Sequence, residues 1–225
     1  MVCLHGIGMS GAGFVPLLDA LASRHGRAGW ALDLPGHGRS KGPPRPLGLA
    51  GLADAVLNWL RIRGFGPVCL LGDSFGCQVA IRAALSDPGA VSSLVLLGPT
   101  CDPSARTYRE QIARWLRNAR VEHVGTVPGE VAACARGGPW TTAAALRASF
   151  ADEVETSLSR LRVPTLVVRG GRDVIVTPHW AQRVTDLVPG ARLVTMPDAA
   201  HRIASTRPRE LADTVEAFAS EATPT

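Results

Sequence analysis

Six short apolar runs punctuate the chain, at residues 1–4, 29–34, 68–71, 91–97, 165–169 and 191–196. They are rich in Val and Leu and apolar at successive positions, so neither face is reserved for water. That pattern predicts strands of a parallel sheet covered on both sides. Between them, residues 14–25, 48–63, 75–86, 178–188 and 208–222 repeat their apolar positions at the helical period. The alternation predicts a doubly wound, mostly parallel α/β sheet with right-handed crossovers, in which ligands bind outside the carboxyl ends of the strands.

Residues 101–158 break the rhythm, because no strand pattern occurs there. The expected organisation is one discontinuous core domain, 1–100 with 159–225, carrying a helical cap at 101–158 on the carboxyl side of the sheet. In the cap, Tyr108, Ile112, Trp115, Leu116 and Ala119 fall on one helix face and Arg106, Arg109, Arg117 and Arg120 on the opposite face. Trp115, Trp140 and Phe150 are candidates to line a substrate pocket, although aromatics at helical spacing more often pack in a core. Arg114 or Arg136 would suit an anionic group; a solvated helix face is the ordinary alternative. Residues 41–46 read as a Pro-rich loop.

Composition narrows the class. At 225 residues and 46% hydrophobic, the chain can bury one substantial core. No apolar run approaches the ~18 residues of a membrane span. The first residues run straight into a strand with no basic, signal-like leader, so a cytoplasmic protein is expected. Of the 24 Lys and Arg residues only Lys41 is lysine, and the arginines are spread rather than blocked despite the net charge of +5; no nucleic-acid footprint is indicated. Five cysteines, odd in number and without C-x-x-C spacing, argue against a disulfide framework. No His or Cys cluster has metal-ligand spacing, so neither metal nor cofactor is expected.

The chemistry concentrates at Gly72-Asp73-Ser74-Phe75-Gly76, between an apolar strand and a helical stretch. A serine on so sharp a strand-to-helix turn is an exposed nucleophile, and its flanking glycines are needed because side chains there would crowd the turn. A second match, Gly38-Arg39-Ser40-Lys41-Gly42, runs into Pro43-Pro44, where no helix can start. A serine hydroxyl needs a base, and the base an orienting group. His201 follows the last strand and Asp173 follows the strand before it, both at carboxyl ends. Asp102, after the strand ending at Leu97, is an alternative acid; Asp198 is too near His201 along the chain. The plain alternatives are a turn serine, an Asp173 that only caps a helix, and a loop histidine.

These pieces resemble the α/β-hydrolase fold over nearly the whole length: His5-Gly6 after the first strand, Asp33-Leu34-Pro35-Gly36-His37-Gly38, the Ser74 turn, Gly170-Gly171-Arg172-Asp173 and Ala199-Ala200-His201. The resemblance implies that Ser74 is acylated, that His201 acts as general base and then acid, and that Asp173 holds the imidazole. It also implies an oxyanion hole from the backbone N–H groups of Ile7 and Phe75, with His5 and Met9 beside the substrate. Two departures stand out. The fold normally begins with two further strands, so the strand at 29–34 is expected to be an exposed edge, covered by dimerisation or an unusual packing of the N-terminus. Asp73 precedes the nucleophile where His, Asn or Tyr is frequent, and its side chain is expected to turn away from the pocket.

The reading is therefore a serine hydrolase of a carboxylic ester, thioester or lactone, with a small-molecule substrate of small to medium hydrophobic character. Carbon–carbon bond hydrolysis, lyase or cyclase chemistry and a non-catalytic binding protein share the same loops. Gly6-Ile7-Gly8-Met9-Ser10-Gly11, with Asp33 ending the next strand, matches a dinucleotide fingerprint. Asp33 continues into Leu34-Pro35-Gly36 rather than a helix, and that reading leaves Ser74, Asp173 and His201 without a role.

Overall fold

A computed structural model describes residues 1–122 and 127–222, with the side chains of 127–137 outside the description. His123 and the side chains of Cys134 and Arg136 are thus outside the described residues. The strands β1 (Val2–Leu4), β2 (Trp30–Leu32), β3 (Val68–Asp73), β4 (Val91–Leu97), β5 (Thr165–Gly170) and β6 (Arg192–Met196) form one sheet in the order β2-β1-β3-β4-β5-β6. Every pairing is parallel. The sheet is doubly wound, as the alternating pattern predicts.

Successive residues of the apolar runs divide between two cores. Val2, Leu4, Leu70, Leu94, Leu96 and Val167 face α2 (Leu49–Ile62), α3 (Phe75–Ser86) and α7 (Pro178–Leu187). Cys3, Leu71, Val95, Leu97, Leu166 and Val168 face α1 (Val15–His25) and α9 (Pro208–Ala222). A side chain of period two thus fills both layers, which is why the strands look uniformly apolar.

The elements differ from the expected bounds where local geometry intervenes. A 3-10 turn at Gly11–Phe14 precedes α1, and Gly11 is needed there because a Cβ would sit 2.7 Å from the Ala31 carbonyl oxygen. The insertion between β4 and β5 holds α4 (Tyr108–Asn118), α5 (Val127–Ala151) and α6 (Val154–Leu158). Helix α5 is broken at Gly138, with φ 75°, followed by Pro139. A further short helix, α8 (Ile203–Thr206), follows β6.

Among the described residues, β2 lies at the sheet edge and pairs with β1 alone. Beside it runs an open groove of about 1070 Å³, walled by Val15 and Leu18 of α1, Val56 and Trp59 of α2, and Trp30 of the strand itself. Among the described residues no helix is long and apolar enough to cross a membrane.

Candidate active site

Ser74 ends the straight line of β3 and starts α3 with φ 56° and ψ −116°. It is the one non-glycine residue with positive φ among those described. Such backbone is costly for an L side chain and persists where the surroundings over-determine it. The neighbours show how. A Cβ on Gly72 would lie 2.5 Å from the Gly76 carbonyl carbon, and one on Gly76 would lie 2.1 Å from the Leu4 oxygen. The turn closes only because both positions lack side chains. The Ser74 N–H donates to Leu97 O at 2.8 Å, fixing the turn to the end of β4.

The next residue beyond that anchor, Gly98, packs under the imidazole of His201. A Cβ there would fall 3.0 Å from His201 Cε1. His201 Nδ1 and Asp173 Oδ2 are 2.7 Å apart. Asp173 stands where β5 gives way to α7, and its Oδ1 accepts the N–H groups of Ile175 and Val176 at 2.8 and 3.0 Å. Burial works against its charge, but His201 and those two amides outweigh it and hold its carboxyl below the usual range. Burial likewise opposes the imidazolium, yet the Asp173 carboxylate, with Asp73 and Glu122 further off, lifts His201 to about 9. The structure therefore brings Asp173 to His201 and places Ser74 across the β4 end from them.

The loop after β1 passes the serine. A Cβ on Gly6 would lie 3.7 Å from Ser74 Oγ, and Ile7 follows within that loop. Phe75 is the first residue of α3, where backbone N–H groups have no intrahelical partner. His5 is buried and braces the strand ends: the Leu34 N–H donates to its Nε2 at 3.1 Å, and its Nδ1 lies 2.8 Å from Gly6 O. Burial pushes it down to about 4, so it is neutral. Asp33 Oδ1 accepts the Gly11 N–H at 2.7 Å and its Oδ2 the Arg39 N–H, also at 2.7 Å. Both carboxylate oxygens thus brace loops, which accounts for Asp33 without a ribose.

Several expectations are corrected. Trp115 and Trp140 are 60% and 81% exposed instead of lining an enclosed pocket. Tyr108, Ile112 and Leu116 are exposed with them. The inward face of α4 is polar because the loops beneath it present unpaired backbone groups. Arg114 Nη1 donates to Ile175 O, and Asn118 Oδ1 accepts from the Val174 N–H. Arg114 also pairs with Asp102 Oδ2 at 2.9 Å, so that arginine binds a neighbour and Asp102 stands apart from His201. Asp73 has a solvent-shielded Oδ1 without a partner, beside a space that neither Ser74 nor His201 lines. It lines a cavity of about 30 Å³ with His5, Met9 and Arg202. Gly98 and Glu122, whose Oε1 accepts the Arg202 N–H at 3.3 Å, were not singled out by sequence; a positive-φ glycine gives no signal beyond a glycine after a strand.

A serine held in left-handed backbone opposite a carboxylate-held histidine, at the carboxyl edge of a parallel sheet, defines the α/β-hydrolase class. The chain belongs to the alpha/beta hydrolase family, whose model matches residues 1–214. It is 30% identical to polyketide synthase ThaQ of Burkholderia thailandensis over 251 aligned positions, covering 98% of this chain but only 12% of that protein. It is 28% identical to a pimeloyl-[acyl-carrier protein] methyl ester esterase of Neisseria meningitidis, over 76% of this chain and 74% of the esterase. Among solved structures, a hydrolase from Pseudomonas aeruginosa PA01 superposes with TM-score 0.80 at 24% identity, covering 97% of this chain and 89% of its own. Est816, described as an N-acyl homoserine lactone degrading enzyme, superposes with TM-score 0.79 at 22% identity, covering 96% and 92%. At these identities the structures speak for the fold. The esterase relatives support a hydrolase of the ester type.

Proposed function

We propose that this chain is a serine hydrolase that cleaves a carboxylic ester, thioester or lactone of a small to medium hydrophobic acyl group through an acyl-enzyme. The observation that carries the reading is Ser74 in its strained turn, tied through Leu97 to the strand end that also supports the Asp173–His201 pair. Neutral His201 takes the Ser74 proton as Oγ attacks the carbonyl carbon. The tetrahedral oxyanion is received by the N–H groups of Phe75 and Ile7, donors worth roughly 3–4 kcal/mol each in such sites. His201 then protonates the leaving group, and water activated by the same imidazole releases the acid. Asp173 keeps the Nδ1 proton in place, leaving Nε2 for the serine. The methyl ester named for the Neisseria relative makes alkyl esters and thioesters of medium acyl chains the first substrates to screen.

The helical insertion serves as the cap. Its α4 already touches both functional loops, through Arg114 and Asn118 on the Asp173 side and through the nearby Glu122 at Arg202. Intact-protein mass spectrometry after exposure to a fluorophosphonate tests the reading. One adduct on the wild type, absent from folded Ser74→Ala and His201→Ala, is expected. No adduct on the folded wild type would overturn acyl-enzyme chemistry and favour a binding role.

A further inference from the structure

Asp73 is the last residue of β3 and immediately precedes the nucleophile. The strand points its carboxylate to the α1 side of the sheet, into the small cavity it shares with His5, Met9, Ser10, Arg202 and Ser205. Its Oδ1 is closed from solvent and accepts no hydrogen bond. A buried carboxylate oxygen without a donor is expensive in any fold, and a neutral side chain would lower the cost. Its place beside the His201-Arg202 loop indicates what offsets that cost.

We propose that Asp73 is a positioning residue whose buried carboxylate holds the proton on His201 and so sets the pH at which the base comes free. The inference rests on His201 being the base of the proposed hydrolase. The surrounding charges are few. His201 and Arg202 face Asp73 from the loop after β6, Asp173 from the end of β5, and Glu122 from beyond α4. Cys3 on β1 and Cys77 on α3 have thiols pushed up by burial, and His5 is held neutral. The cations His201 and Arg202 are therefore the groups able to stabilise an Asp73 anion. Burial pushes Asp73 up to about 6, with those two cations pulling it back. Between that value and about 9, where His201 gives up its proton, the imidazolium has Asp173 bonded to it at 2.7 Å and the Asp73 carboxylate on the residue before Ser74. Asp173 fixes the ring and Asp73 adds charge without a bond, so removing Asp73 alters proton affinity and leaves orientation intact.

The test compares wild type with Asp73→Asn and Asp73→Ser. The His201 Cε1–H NMR resonance is followed from pH 5 to 10, and the fluorophosphonate labelling rate is measured over the same range. A nearby opposite charge shifts a titration by roughly one unit or more. Both neutral variants are expected to lower the His201 midpoint by about one unit. The acid limb of the labelling profile should move with it, so that at pH 6.5 the variants label several-fold faster than wild type. A midpoint unchanged in both folded variants overturns the proposal. Should the wild type not label at any pH, the hydrolase reading fails, while the NMR titration still decides whether Asp73 holds the His201 proton.

Discussion

Replacing Gly98 with alanine separates stability from chemistry. Gly98 has φ 54°, a backbone region that costs an L residue about 1 kcal/mol. The new methyl carbon would lie 3.0 Å from His201 Cε1 and 3.1 Å from Nδ1, tighter than ordinary contact, but 3.7 Å from Asp173 Oδ2, where it fits. The carboxylate therefore stays and the imidazole must move by several tenths of an ångström. That ring is 13% exposed and held at 2.7 Å by Asp173, so it can retreat only by stretching or tilting the bond that orients it. The expected stability loss is about 1–2 kcal/mol, or roughly 3–6 °C in Tm for a chain of this size. Misplacement of a catalytic group on the ångström scale costs as much as ~100-fold in rate, so labelling should fall far more than the fold does. Urea melts and fluorophosphonate labelling rates at pH 8 measure both. A variant that loses stability but labels at the wild-type rate would refute the claim that Gly98 supports the imidazole.

Other substitutions test the scaffold. Gly76→Ala brings a Cβ to 2.1 Å from the Leu4 oxygen, backbone against backbone, and should cost ~4 kcal/mol or more, read as loss of soluble protein and of the far-UV circular dichroism of the native fold. Gln78 is fully buried, its amide donating to Ser149 O and Asp152 Oδ2 at 3.1 and 2.9 Å and accepting from Ser149 Oγ at 2.6 Å. Gln78→Leu strands those groups, costing about 2–3 kcal/mol, and limited proteolysis should cut faster within 101–158. The lifted His201 proton affinity is itself a stability term. It is fully present below the ordinary value of 6.5 and is lost as pH rises through about 9, a decline on the order of 3 kcal/mol. Urea midpoints of wild type should fall across that window, and His201→Ala should not share the fall.

The nucleophile turn was legible because its constraint is local: two glycines around a serine, with a strand before and a helix after, leave few alternatives. Asp173 and His201 were legible through topology, since a parallel sheet sends the residues after β5 and β6 to one edge. The orientation of α4 was not. Its apolar positions predict an inward face, yet Val174 N and Ile175 O beneath it require polar partners, and Asn118 and Arg114 supply them. The surroundings of Asp73 were hidden for a similar reason: alternation along β3 decides which layer it enters, but Arg202, which lines the same cavity, comes over a hundred residues later. The four-residue helix α8 has no periodicity to read.

The groove beside β2 has a practical consequence. The inner side of the strand is closed by β1, where the Met1 backbone oxygen accepts the Trp30 N–H at 3.0 Å, so the groove follows the outer side. That outer edge runs between apolar walls, where an added extended segment can pair with the strand or join two copies. Ser74, Asp173 and His201 lie toward the other strands and line no part of that groove. Pairing along that edge would thus alter assembly and solubility while sparing the chemistry, and a preparation aggregated through it could still label fully with a fluorophosphonate.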